Sequence, residues 1–245
     1  MRLAAMFKFY IIRLLLRIPV AGAVLYLYVY NREVLAGAVR FSLSGPFGPL
    51  HILWALLMLN MLVHLLPCGP FSPAGKKQFA RHYRPVSAEV DRQSLRAYVR
   101  RVNRRAGLTM VVWLGCHGLL LPLCLAGLIG PAELIVLSTL YLVADLVCML
   151  FFCPFQKWLM KCRCCIDCRI FEWGHFMMYT PMIFFISFYS YSLFFMACLL
   201  LLKWEISFAR RPERFWSGAN AALQCANCPD KLCQVKKGAS FEAGI

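Results

Sequence analysis

Charge is what this sequence has least of. Only 16% of its 245 residues are Asp, Glu, Lys or Arg, where a soluble domain carries about a quarter. The acidic residues number 11 against 27 Lys and Arg. Such a shortage excludes an ordinary water-soluble domain. The apolar runs also lack the alternation of polar and apolar positions that a membrane β-barrel needs. A hydrolase triad, a phosphate-binding loop, a dinucleotide fingerprint and a zinc-protease motif are all missing, so no conventional enzyme chemistry is written in the chain. There is no internal repeat.

What remains is 61% hydrophobic with a mean hydropathy of +0.63, gathered in blocks. A bilayer span needs about 20 mostly apolar residues in a row, and the blocks predict an all-α, polytopic bundle of about five spans. These are 9–30, 50–66, 108–129, 132–152 and 176–202, making a membrane domain over 1–205 and a tail over 206–245. Arg13 and Arg17 interrupt the first block one helical turn apart and are expected to snorkel toward the inner interface. They also argue against a cleaved signal, although Ala21-Gly22-Ala23 resembles a cleavage site.

The net charge of +16 is concentrated in the loop 68–106, where residues 76–105 hold ten basic and two acidic side chains. The positive-inside rule accounts for this patch, and no nucleic-acid partner is expected. The second half of the loop reads as an amphipathic helix capped by Ser87, with Leu95, Val99, Val102 and Ala106 on one face and Arg92, Arg96 and Arg100 on another. It is expected to lie on anionic lipid head groups, or to be a solvated helix. Counted from an inside N-terminus, five spans leave the tail outside. From Lys203 onward, however, seven basic and four acidic residues would prefer the inside.

Thirteen cysteines cluster in two places. The loop 153–175 carries Cys153, Cys162, Cys164, Cys165 and Cys168, and the tail carries Cys225, Cys228 and Cys233. The C-x-x-C pairs Cys165/Cys168 and Cys225/Cys228 have the spacing for a tetrahedral zinc or iron site. The extra thiols favour an iron–sulfur cluster ligated by Cys164, Cys165, Cys168, Cys225, Cys228 and Cys233. One shared site requires loop and tail on one membrane face. On opposite faces the inner thiols would stay reduced and the outer ones would form disulfides. Redox-active thiols and purely structural cysteines are the alternatives.

Asp145, inside the fourth block, is a functional candidate by position. A hairpin turning near Pro131 puts His117 at its depth, as a structural pair or a proton relay in an ion-coupled transporter. His51 and His64 lie thirteen apart, facing different ways on a helix, so b-type haem is not expected.

Three stretches carry a resemblance: Cys153-Pro-Phe-Gln through Cys164-Cys165-Ile-Asp-Cys168-Arg-Ile-Phe-Glu-Trp; Met177-Met178-Tyr-Thr-Pro181; and Lys203-Trp-Glu-Ile with Arg211-Pro-Glu-Arg-Phe and the Cys225/Cys228/Cys233 tail. Together they resemble an uncharacterised group of multi-pass membrane proteins from anaerobic Gram-positive bacteria. The resemblance implies a bacterial cytoplasmic membrane and no particular reaction, and Cys162 stands where that group is expected to have asparagine. The sequence thus points to a membrane electron-transfer component with a cysteine-bound metal and protein partners. An Asp145/His117 transporter and a non-catalytic scaffold are the other readings.

Overall fold

A computed structural model describes residues 5–37, 49–66, 75–86, 90–228 and 232. Among these residues the chain is helical throughout, with one isolated antiparallel bridge, Pro85 to Asn220, and no strand. Four helices are long and apolar enough to cross a membrane: Met6–Tyr30, Arg92–Leu125, Pro131–Leu150 and Phe188–Arg210. The second block forms a shorter apolar helix.

Helix α1 (Ala5–Tyr30) is followed by the short α2 (Arg32–Gly37), and then by α3 (Pro49–Leu65) and the single turn α4 (Gly75–Gln78). Helix α1 runs antiparallel to α7 (Pro131–Leu150): Phe7, Tyr10 and Leu14 pack on Leu146 and Leu150 at one end, and Arg32 pairs with Glu133 at the other. The start of α7 is fixed locally. Pro131 occupies the first turn, where its missing N–H costs nothing, and Glu133 accepts a hydrogen bond from the Gly130 N–H at 2.7 Å.

The basic segment and the third apolar block are one helix, not two. Helix α5 (Arg92–Gly118) starts at Asp91, whose carboxylate accepts from the backbone N–H of Gln93 and Ser94 (3.0 and 2.9 Å), and α6 (Leu120–Leu125) prolongs it. Ser87, the expected cap, lies outside the described residues. The apolar face foreseen for lipid is covered by protein instead: Val99, Val102 and Ala106 pack with Trp204, Phe208 and Phe215. Chain reversal after α6 occupies 126–130, with Gly127 in the left-handed region at φ 71°. That is longer than a link at Gly130-Pro131 and changes the register of the two helices.

The fifth block is the largest departure from expectation. It does not form a helix over 176–202. Helix α8 (Gly174–Tyr179) and a 3₁₀ segment (Thr180–Phe184) form one limb, residues 185–187 turn, and α9 (Phe188–Arg210) returns beside it. Trp173 meets Glu205 at one end, while Ser190 bonds the carbonyls of Phe185 and Ser187 at the other. The first limb has fewer residues than the second, and its 3₁₀ part rises faster than an α-helix, about 2.0 against 1.5 Å per residue. Pro181, at the start of the 3₁₀ segment, favours the break. Just before the break the Thr180 hydroxyl donates to the Phe176 carbonyl (2.7 Å).

This hairpin puts the ends of α3, α7 and α9 and the starts of α1 and α5 at one end of the bundle. Lys203 donates to the carbonyls of His64 and Leu65, and Arg105 to that of Met160. The cysteine loop and the tail therefore occupy the same end. Many large apolar side chains of α1, α3 and α5 point outward, Leu16, Leu56 and Val111 among them, as expected of surfaces facing lipid.

Candidate functional site

The cysteine loop begins where α7 stops. Pro154 leads into a π-helical turn, Phe155–Met160, which Lys161 ends at φ 48°; π-turns of this kind often mark functional sites. The turn lets Gln156 reach three parts of the loop. Its N–H donates to Cys153 Sγ (3.4 Å), its Nε2 to the Cys162 carbonyl (3.2 Å), and its Oε1 accepts from Cys165 Sγ (3.0 Å). Cys165 Sγ also lies 3.5 Å from the Cys148 carbonyl.

The Cys153 thiol lies close enough to Cys148 and Cys165 to share hydrogen bonds with them. These three, with Cys168, line a cavity of about 300 Å³ walled by Trp113, Tyr141 and Met177. Behind them Cys162 bonds Cys168, and the Asp167 N–H donates to Cys164 Sγ at 3.4 Å. The bond to Cys148, with burial, pushes the Cys153 thiol up to about 12. Burial pushes Cys164 up to about 12 despite nearby Lys77, and the bond to Cys168, then burial, also raises Cys162. All three thiols are protonated at neutral pH. The nearby arginines are engaged elsewhere. Arg169 is held by both oxygens of Glu205 (2.9 and 2.5 Å), and Arg163 donates to Ser217.

The loop is locked by buried polar contacts. Lys77, almost wholly buried, donates to the Cys168 carbonyl (2.9 Å) and lies over the Trp204 and Phe215 rings; burial lowers its pKa. Trp204 donates to the Arg169 carbonyl (2.7 Å), and Trp173 donates to Glu205 (2.8 Å). The tail is stitched to the basic segment through Asn220, which accepts from the N–H of Arg84 and Ala222 and donates to the Arg214 carbonyl.

The expected ligands are only partly brought together. Cys164 and Cys228 pack against one apolar cluster with Ile166, Leu223 and Leu232. Cys165 and Cys168 turn toward the cavity, Cys225 is exposed, and Cys233 lies outside the described residues. Among the described residues no three His, Cys, Asp or Glu side chains are grouped as a metal site, and none of the cysteines forms a disulfide. Cys148 and Cys153 were not among the expected ligands. Their only signal in the sequence is the five-residue spacing across the end of α7.

His117 and Asp145 do not form a pair. His117 Nδ1 bonds the Trp113 carbonyl (2.8 Å), and its ring meets those of Trp113 and Tyr141. Asp145 pairs with Arg17 (3.2 Å), which also donates to the Leu142 carbonyl. The longer reversal sets Trp113 opposite Tyr141, so Asp145 falls about one turn from the level of His117. Neither arginine of α1 snorkels as expected: Arg13 turns inward to Asn60 Oδ1 (2.6 Å), and Asn60 bonds His175 (3.2 Å). The His64 ring lies tilted beside that of His175, and His51 meets Tyr189. No protein-family model, curated protein or solved structure matches this chain.

Proposed function

We propose that the protein is a redox component of the bacterial cytoplasmic membrane that works through the thiols at the base of α7. The observation carrying this is the closeness of Cys148, Cys153 and Cys165 on the wall of one cavity, none of them in a disulfide. In the reaction, Cys153 and Cys165 close a disulfide and lose two electrons and two protons. The acceptor is a disulfide on a partner protein, which becomes two thiols through a mixed disulfide. Because Cys153 holds its proton strongly, protons leave together with the electrons. This reading counts α3 and the limb 174–184 as passes beside the four long apolar helices, which makes six. Loop, tail and basic segment then all face the cytoplasm, in accord with the positive-inside rule.

The test is a redox titration of the protein, purified anaerobically, in dithiothreitol buffers, with free thiols trapped by maleimide and mapped by mass spectrometry. A Cys153–Cys165 or Cys153–Cys148 disulfide with a single midpoint is expected. Finding only intermolecular disulfides, or none at any poise, rejects the proposal.

A metal centre remains the second reading, favoured by the meeting of Cys164 and Cys228 in one cluster. The tail would bring Cys225, Cys228 and Cys233 to Cys164, Cys165 and Cys168, with an iron–sulfur cluster favoured over zinc. It predicts stoichiometric iron or zinc that is lost in both Cys164→Ser and Cys228→Ser. A metal-free, colourless protein would leave the thiol centre alone.

A further inference from the structure

A second cavity, of about 190 Å³, lies at the opposite end of the bundle from the thiols. Helices α1, α3, α7 and α9 and the limb at 182–187 enclose it, and Met178 lines both it and the thiol cavity. Its wall is almost wholly aliphatic and aromatic, with a few hydroxyls. Two of these have their usual partners. Thr139 donates to the Ile135 carbonyl one turn back (2.8 Å), and Ser190 to the carbonyls of Phe185 and Ser187.

Ser138 and Tyr189 differ. Ser138 is 3% exposed, yet its Oγ has no hydrogen-bond partner among the described residues and has not folded back on its own helix. The Tyr189 hydroxyl is likewise buried without a partner, on a ring held edge-on by His51 and Trp54. A buried hydroxyl with nothing to bond costs free energy, and more so in apolar surroundings. Two such groups on one apolar cavity suit a ligand that is lipophilic and accepts hydrogen bonds.

We propose that this cavity binds a lipophilic carbonyl compound, its oxygen accepting from Ser138 and Tyr189 and its hydrocarbon lying against α1 and α3. The site stands independently of the thiol centre. Its carbonyl has two sources: the ring of a membrane quinone, or the acyl ester of a lipid. Charged ligands are disfavoured because no Asp, Glu, Lys, Arg or His side chain lines the cavity.

The experiment uses the full chain in detergent, with duroquinone as the quinone probe and Trp54, which lines the cavity, as reporter. Duroquinone is expected to quench emission in the wild type but not in Trp54→Phe. Ser138→Ala and Tyr189→Phe should each weaken binding about tenfold, the effect of one lost hydrogen bond. Ser138→Ala also fits the helix without strain, so its denaturation midpoint should not fall. If duroquinone fails to bind, a diacyl lipid that native mass spectrometry finds on the wild type and loses in both variants assigns the ester as source. Absence of both ligands, or binding indifferent to both substitutions, overturns the site.

Discussion

Removing the Glu205 side chain should open the cysteine loop. In the native state Glu205 accepts from both Arg169 guanidinium nitrogens, at 2.9 and 2.5 Å, and from Trp173 Nε1 at 2.8 Å. Arg169 is 3% exposed, while Glu205 is about a third exposed. Breaking a buried pair from one side costs about 3–5 kcal/mol, because the remaining charge is stranded. Water reaches Glu205, so the lower end applies. The face of Phe208, 3.8 Å from the guanidinium, stays to support the charge. Glu205→Ala should therefore cost about 3 kcal/mol, or on the order of a hundredfold in the equilibrium for opening the loop. Cys168 is buried beneath the pair, so its maleimide labelling rate in detergent, read by mass spectrometry, should rise by that factor if local opening limits access. Glu205→Gln keeps an acceptor for Trp173 and should fall between. Joint replacement, Arg169→Met with Glu205→Leu, should recover most of the protection, since a buried pair replaced by apolar groups is close to neutral. A rise of less than about threefold in Glu205→Ala would refute the view that this pair holds the loop shut.

Gly174→Ala should cost about 1–3 kcal/mol by overpacking, because an added Cβ would stand 2.7 Å from Asp145 Oδ1 and push it off Arg17; the midpoint of SDS-induced unfolding measures this, and an unchanged midpoint counts against the packing. Cys225, exposed in the tail, should react with an impermeant maleimide in inside-out vesicles and not in intact cells, whereas a cysteine at Ala126→Cys in the far reversal should do the opposite. Between pH 8 and 10 the alkylation rate of Cys164 should climb about tenfold per unit without levelling, since its thiol titrates only at about 12; a plateau near 9 contradicts the burial. An acid whose pKa rises on folding keeps a proton that the unfolded chain has already lost, so stability falls as pH rises above the ordinary thiol value of 9.0. The midpoint of the Cys153 disulfide should fall by about 59 mV per pH unit, two protons accompanying two electrons, in a voltammetric or redox-buffer titration.

The sequence by itself determined that the chain is helical and suited to a bilayer, since unbroken apolar runs leave backbone polar groups only one way to be satisfied. It also determined where α7 begins, at Gly130-Pro131, and which face of the basic helix is apolar. Hydropathy does not record a reversal of direction, however. Residues 176–202 read as one span, and only Pro181 hinted that they would fold into two limbs of different rise. That hairpin puts the described part of the tail, residues 206–228, at the same end of the bundle as the cysteine loop. Tertiary structure also decided the partners of the charged side chains inside the bundle. Arg13 and Arg17 turn inward to Asn60 and Asp145 rather than outward to the interface, because acceptors wait in the bundle. Cys148 joins Cys153 and Cys165 because a π-turn brings Gln156 and the loop back under α7. Such contacts between residues distant in sequence depend on packing, which periodicity and spacing do not encode.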